Sequence, residues 1–143
     1  MCEVCQAMQT DITLAKNMLA RQQATLVCVK NGQAVLCQER GIRPVMDLLA
    51  RKEHPLQHAA VADKVVGRAA ALLFAYGGVQ EVYAHVMSQP AAEVFREQGI
   101  PFTYGDIVPH IINRAGDGVC PMEQRAMAIT DPLQAYRVFQ EIE

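Results

Sequence analysis

Two β-rich runs, Thr25 to Lys30 and Gln33 to Gln38, are joined by Asn31-Gly32, and this pair constrains the fold more than any other feature of the chain. Asn-Gly is the strongest short signal for a two-residue type I′ hairpin, because both central residues of that turn need positive φ. The turn sets the register. Pairing Lys30 with Gln33 puts Val29 opposite Ala34 and Val27 opposite Leu36 on one face, with Cys28 opposite Val35 and Leu26 opposite Cys37 on the other. Both faces are apolar, so the hairpin is expected inside a sheet covered by helices on each side. That is an α/β fold, a three-layer α/β/α sandwich.

The flanking segments agree with this expectation. Ile12, Leu14, Ala15, Met18 and Leu19 recur at helical spacing behind Thr10 and Asp11, predicting a capped helix from about Asp11 to Gln22. Pro44 suits the first turn of a helix that Val45, Met46, Leu48 and Leu49 make amphipathic, and Glu53 to His58 reads as a loop. Val61 to Tyr76 is apolar nearly all round and predicts a buried central helix, closed by a left-handed cap at Gly77-Gly78. Val79 to Met87 reads as a strand, Ala91 to Gln98 as a helix ending at Gly99, and Pro101 to Tyr104 as a short strand. Strand, helix, strand in this order makes a βαβ unit, so the sheet is mixed. A turn at Gly116-Asp117-Gly118, the segment Cys120-Pro121-Met122-Glu123 and a helix from Asp131 to about Glu141 follow. Residues 1–10 read as a flexible Cys-rich tail and residues 11–143 as one domain.

Composition excludes several partners. A net charge of −2 with 13 scattered Lys and Arg residues provides no basic surface to neutralise phosphates, so nucleic acid is not expected. The longest apolar run, Ala69 to Tyr76, is far too short to span a bilayer, and the start of the chain lacks a basic region ahead of an apolar one. A cytoplasmic location without membrane association is the resulting expectation. The 5 cysteines are odd in number and fit reduced thiols better than a disulfide framework.

The element order resembles that of the cytidine deaminase superfamily. More closely, Gly41-Ile42-Arg43-Pro44, Val61-Ala62-Asp63-Lys64-Val65-Val66-Gly67, Ile112-Asn113-Arg114 and Cys120-Pro121-Met122-Glu123-Gln124 resemble the motifs of a small prokaryotic family of unknown function with a deaminase-like fold. The resemblance runs from about Asp11 to the end and implies a cytidine-deaminase-like domain. Zinc deaminases carry His-Ala-Glu or Cys-Ala-Glu at the start of the central helix and Pro-Cys-x-x-Cys at the start of the next. In this chain those positions align with Val61-Ala62-Asp63 and Pro90-Ala91-Ala92-Glu93-Val94, so none of the three ligands is present and no metal or cofactor is expected. Cys120-Pro121-Met122-Glu123 comes a strand and a helix too late to be the second motif. His58 falls three residues before the first ligand position.

Candidate site residues follow from the chemistry of each position. Asp63 and Lys64 would lie in the first turn of the oily central helix, where a carboxylate is stabilised by the helix dipole but a cation needs compensation. The helix start with Lys64 would then form an anion cradle. Cys120, ahead of a short helix, is a candidate nucleophile, with Asp63 or Glu123 handling protons. Asn113, Arg114, Asp117 and Arg43 add polar groups, Arg43 as a bidentate clamp. Against each stands a plainer role: Asp63 as a cap, Cys120 as a small core residue, the others as solvated or structural groups. Cys28 and Cys37 are read as core residues, and Cys2 with Cys5 as half of a metal site at most.

The expected function is that of a small-molecule-binding domain for an anionic or nucleotide-like ligand, at the carboxyl ends of the parallel strands. One alternative is a metal-independent enzyme with Cys120 as nucleophile. Another is a non-catalytic scaffold or regulatory domain. A homo-oligomer is expected in each case.

Overall fold

The computed structural model describes residues 10–113 and 115–142. Cys2, Cys5 and Arg114 therefore lie outside the described residues. Thr10 caps α1 (Asp11–Arg21) by accepting the Thr13 N–H on its side-chain oxygen, as the sequence predicts. The hairpin of β1 (Leu26–Lys30) and β2 (Gln33–Cys37) has every expected pair, from Leu26–Cys37 to Lys30–Gln33, with Asn31 and Gly32 both at positive φ. Asp11 anchors that turn, its carboxylate accepting the N–H groups of Asn31 and Gly32.

Next come α2 (Arg43–Leu49), β3 (Ala60–Val66), α3 (Arg68–Gly77), β4 (Glu81–Ser88), α4 (Gln89–Gln98), β5 (Phe102–Val108), α5 (Pro121–Ala126) and α6 (Pro132–Ile142). Left-handed glycines close two of the helices, Gly78 after α3 and Gly99 after α4.

The central helix expected over Val61 to Tyr76 is instead a strand and a helix, β3 and α3, broken at Gly67. A strand buried on both faces is an unbroken apolar run, and periodicity alone does not separate it from a buried helix. The β-branched Val61, Val65 and Val66 ahead of the glycine are the local signal for extended backbone. Asp63 and Lys64 therefore sit on a strand, and the helix-start anion cradle built on Lys64 does not exist.

The sheet order is β2-β1-β3-β4-β5, antiparallel at β2–β1 and β1–β3 and parallel at β3–β4 and β4–β5. Only β1 of the hairpin is interior. β2 forms an edge, with Leu36 exposed and the residues beside it half-buried, so the hairpin is covered on both faces only along its inner strand. On one face α1 packs through Ala15 and Leu19 against Val27, Val29 and Ala62. The opposite face carries the larger core, where α3, buried from Arg68 through Phe74, meets Leu26, Val61, Val82 and Ala84 of the sheet. Phe74, Phe95 and Phe139 are wholly buried there; each contributes about 1.5–3 kcal/mol of apolar burial.

Candidate functional site

Two buried carboxylates divide the functional question. Glu123 lies in the first turn of α5, 2% exposed, where the carboxyl ends of the parallel strands meet the segment after β5. Its Oε1 accepts the Arg68 N–H at 2.6 Å, at the start of α3, and the Ser88 hydroxyl at 3.0 Å; its Oε2 accepts the Ile111 N–H at 2.5 Å. Ser88 in turn caps α4 by accepting the Ala91 N–H. One carboxylate thus ties the starts of two helices to the chain beyond β5, and the α3 dipole favours its charge. Gly67 permits the approach: a Cβ there would stand 3.0 Å from Glu123 Oε1 and from an Ile111 side-chain carbon.

Arg68 completes this node from below. Its guanidinium, 5% exposed, donates to the carbonyls of Ala126, Ile129 and Pro90, and Glu93 stands 4.0 Å away. Sequence reasoning missed Arg68, although an arginine opening an apolar helix was a visible signal.

Asp63 is the opposite case. It is 9% exposed on β3, the strand where the sheet changes from antiparallel to parallel pairing. Leu26 pairs with both Cys37 and Asp63, so the three side chains share one face, the face on which α2 packs through Ile42, Val45 and Met46. Among the described residues, only local amides reach the carboxylate: the Val65 N–H at 3.4 Å, and that of Lys64, which already donates to Thr25 O. Burial pushes the Asp63 carboxyl up from 3.8 to about 7, outweighing the two amides, which favour the charged form.

The ladder is distorted beside this residue. Pairing passes from Asp63–Ala84 to Val65–Val86 and from Ala84–Tyr104 to Val86–Asp106, skipping the row of Lys64, His85 and Gly105. The skipped row explains why Val65 is 47% exposed and Val66 fully buried, where strict alternation from Val61 would reverse them. Gly105 is obligatory here, because a Cβ would fall 2.8 Å from His85 O.

The remaining candidates are distributed. Lys64 is exposed on the kinked row. Arg43, at the start of α2, is exposed and pairs with Glu39 at 3.6 Å. Asn113 spends its side chain on its own turn, donating to Asp117 and accepting the N–H groups of Gly116 and Asp117. Cys120 is half-buried at the N-cap of α5, and its N–H donates to Ile111 O. Burial pushes the Cys28 thiol up to about 12 and raises that of Cys37, as core residues require. His110, two residues past β5, has a buried Nδ1 with no hydrogen-bond partner among the described residues. The structure therefore brings Glu123, Ile111 and Cys120 together at the carboxyl ends of the strands, and sets Asp63 and Cys37 side by side across Leu26.

The family model for a domain of unknown function, DUF1893, matches residues 14–142. The chain belongs to the DUF1893 family. Its structure is similar to the crystal structure of a DUF1893 family protein, TM1506, from Thermotoga maritima, with 25% sequence identity and a TM-score of 0.85 over 93% of this chain and 90% of that one. No curated protein matches the sequence.

The donor set does not suit zinc. The helices after β2, β3 and β4 open on Ile42-Arg43, Gly67-Arg68 and Gln89-Pro90, with no thiol or imidazole. Among the described residues, no three His, Cys, Asp or Glu side chains converge as a metal centre needs. Val61-Ala62-Asp63 lies on β3 and is not a helix start, so the alignment of that segment with the deaminase ligand position does not apply.

Proposed function

We propose that this chain is a three-layer, cytidine-deaminase-like domain that binds a small anionic or nucleotide-like molecule over β3, using Asp63 as a hydrogen-bonding and proton-exchanging group. The sheet order, with α1 on one face and the larger core on the other, supports the architecture. One observation carries the site: a buried carboxyl with weak local partners, beside a three-strand kink, on the strand where the pairing direction switches. A carboxyl that is neutral for part of its time near pH 7 can donate to a phosphate, carboxylate or ring nitrogen, whereas an ionised one repels an anion.

Glu123 has a different part in this reading. Three donors from separate segments hold its carboxyl, so it positions the surrounding chain. The test is calorimetric titration with nucleoside monophosphates at pH 6 and pH 8. Binding is expected to tighten at pH 6, with the pH difference lost in Asp63→Asn. Absence of any binding, or a pH dependence unchanged in the variant, overturns the reading.

Cys120 supports a second reading, a metal-independent enzyme. Its thiol is half-buried at a helix start, one turn from Glu123 and against Ile111. In that case Cys120→Ala abolishes turnover and leaves ligand binding intact.

A further inference from the structure

The sheet ends in two edges that differ in kind. β2 is 5 residues long and half-buried over most of its length, whereas β5 has 7 residues with Thr103, Tyr104, Gly105 and Asp106 all exposed. Edge strands present unpaired N–H and C=O groups, and monomeric proteins blunt them with charge or proline inside the strand. From Phe102 to Gly105, β5 carries neither. The ladder fixes which groups face outward. Val82 donates its N–H to Pro101 O at 3.0 Å and pairs with Phe102, and Ala84 pairs with Tyr104. In a parallel ladder those pairings turn the N–H and C=O groups of Phe102 and Tyr104 away from β4.

This edge is complementary to itself. Two antiparallel copies with Phe102 opposite the partner's Tyr104 exchange the outward groups twice, about a two-fold axis at Thr103. On the α4 face the register extends an aromatic row already present, Phe95 to Phe102 at 5.7 Å and Phe102 to Tyr104 at 6.4 Å between centroids. Tyr104, 41% exposed, then lies against the partner's Phe102 and loses its contact with water. On the other face the two Thr103 side chains meet as a Thr–Thr pair. Charge also fits: none of the three paired residues is ionised, and Asp106 is carried towards the amino end of the partner's strand, where Arg96 stands 5.6 Å over the Phe102 ring. We propose that β5 is the surface through which two copies of this chain form a two-fold dimer, joining their sheets edge to edge in this register.

Sedimentation equilibrium on the full chain at tens of micromolar should give twice the chain mass. Tyr104→Lys, which sets an ammonium against the aromatic row, should weaken the dimer about tenfold or more. Tyr104→Pro removes the ring and one outward N–H, a change that an edge strand tolerates, and should give a monomer whose circular dichroism matches that of the natural protein. The register has its own test. The two Thr103 Cα atoms would stand about 4.5 Å apart as a non-hydrogen-bonded pair, within reach of a disulfide. Oxidised glutathione should therefore link two copies of Thr103→Cys, with peptide mapping placing the bond between the substituted positions, and should not link Asp106→Cys in the same way. A monomer at that concentration, a dimer unchanged by both Tyr104 substitutions, or no bond between the two substituted 103 positions would each overturn the proposal.

Discussion

Glu123 and Asp63 are both buried carboxylates in one small fold, yet their surroundings differ in kind. Around Glu123 the chain provides two backbone N–H groups and a hydroxyl from three separate segments, so the cost of burying a charge is offset by charge-assisted hydrogen bonds. Around Asp63, among the described residues, it provides only neighbouring amides of the same strand, and the proton is retained to about pH 7. The contrast shows that burial alone does not mark a functional group. What separates the two is how far distant segments complete the group's hydrogen bonding.

The largest expected effect breaks the better-satisfied side of this contrast. Glu123→Ala strands the amides of Arg68 and Ile111 and should cost roughly 5 kcal/mol in urea denaturation, whereas Glu123→Gln, which keeps an acceptor oxygen, should cost about half as much. A silent Glu123→Ala would remove the distinction between pin and site.

Asp63→Asn should act in the other direction. The folded chain holds the Asp63 proton to about pH 7 and the unfolded chain releases it near 3.8, so the folded state binds more protons between those values and stability falls as pH rises through that window. The variant should lack that slope and exceed the natural protein in stability by at most roughly 4 kcal/mol at pH 8, with the difference disappearing towards pH 4. Parallel stability curves for the two proteins between pH 4 and pH 8 would show that Asp63 is as well compensated as Glu123.

Thiol labelling sharpens the same comparison on the sheet. Cys28, with its thiol pushed up to about 12 and donating to Pro55 O, should resist iodoacetamide at pH 7.5 until denaturant is added. Cys120 should be modified in the folded protein, and peptide mapping reads both. Protection of Cys120 until unfolding would assign it to the core. The smallest effect belongs to Lys64. Exposed on its strand, it should tolerate Lys64→Ala within about 0.5 kcal/mol, and a larger loss would mean that the kinked row is held by that side chain.

Much of the architecture was legible in local chemistry. Asn31-Gly32 dictated the hairpin and its register, Thr10 the start of α1, and Gly78 and Gly99 the ends of α3 and α4, because each depends on φ or capping requirements within a few residues. The Val61 to Tyr76 run was misread because burial on every side erases the periodicity that distinguishes a strand from a helix. That single error moved Asp63 and Lys64 from a helix start to the middle of a sheet.

The site shows the same division. Sequence alone singled out Asp63, Cys120 and Glu123 as candidate groups. Tertiary structure decided their roles. The donors that satisfy Glu123 come from residues 68, 88 and 111, far apart along the chain, while Asp63 and Cys37 come to flank Leu26 only through the register of β1 with its two neighbours. Hydrogen-bond completion and desolvation depend on which distant segments arrive at the same point in space, and that is a property of packing rather than of local sequence.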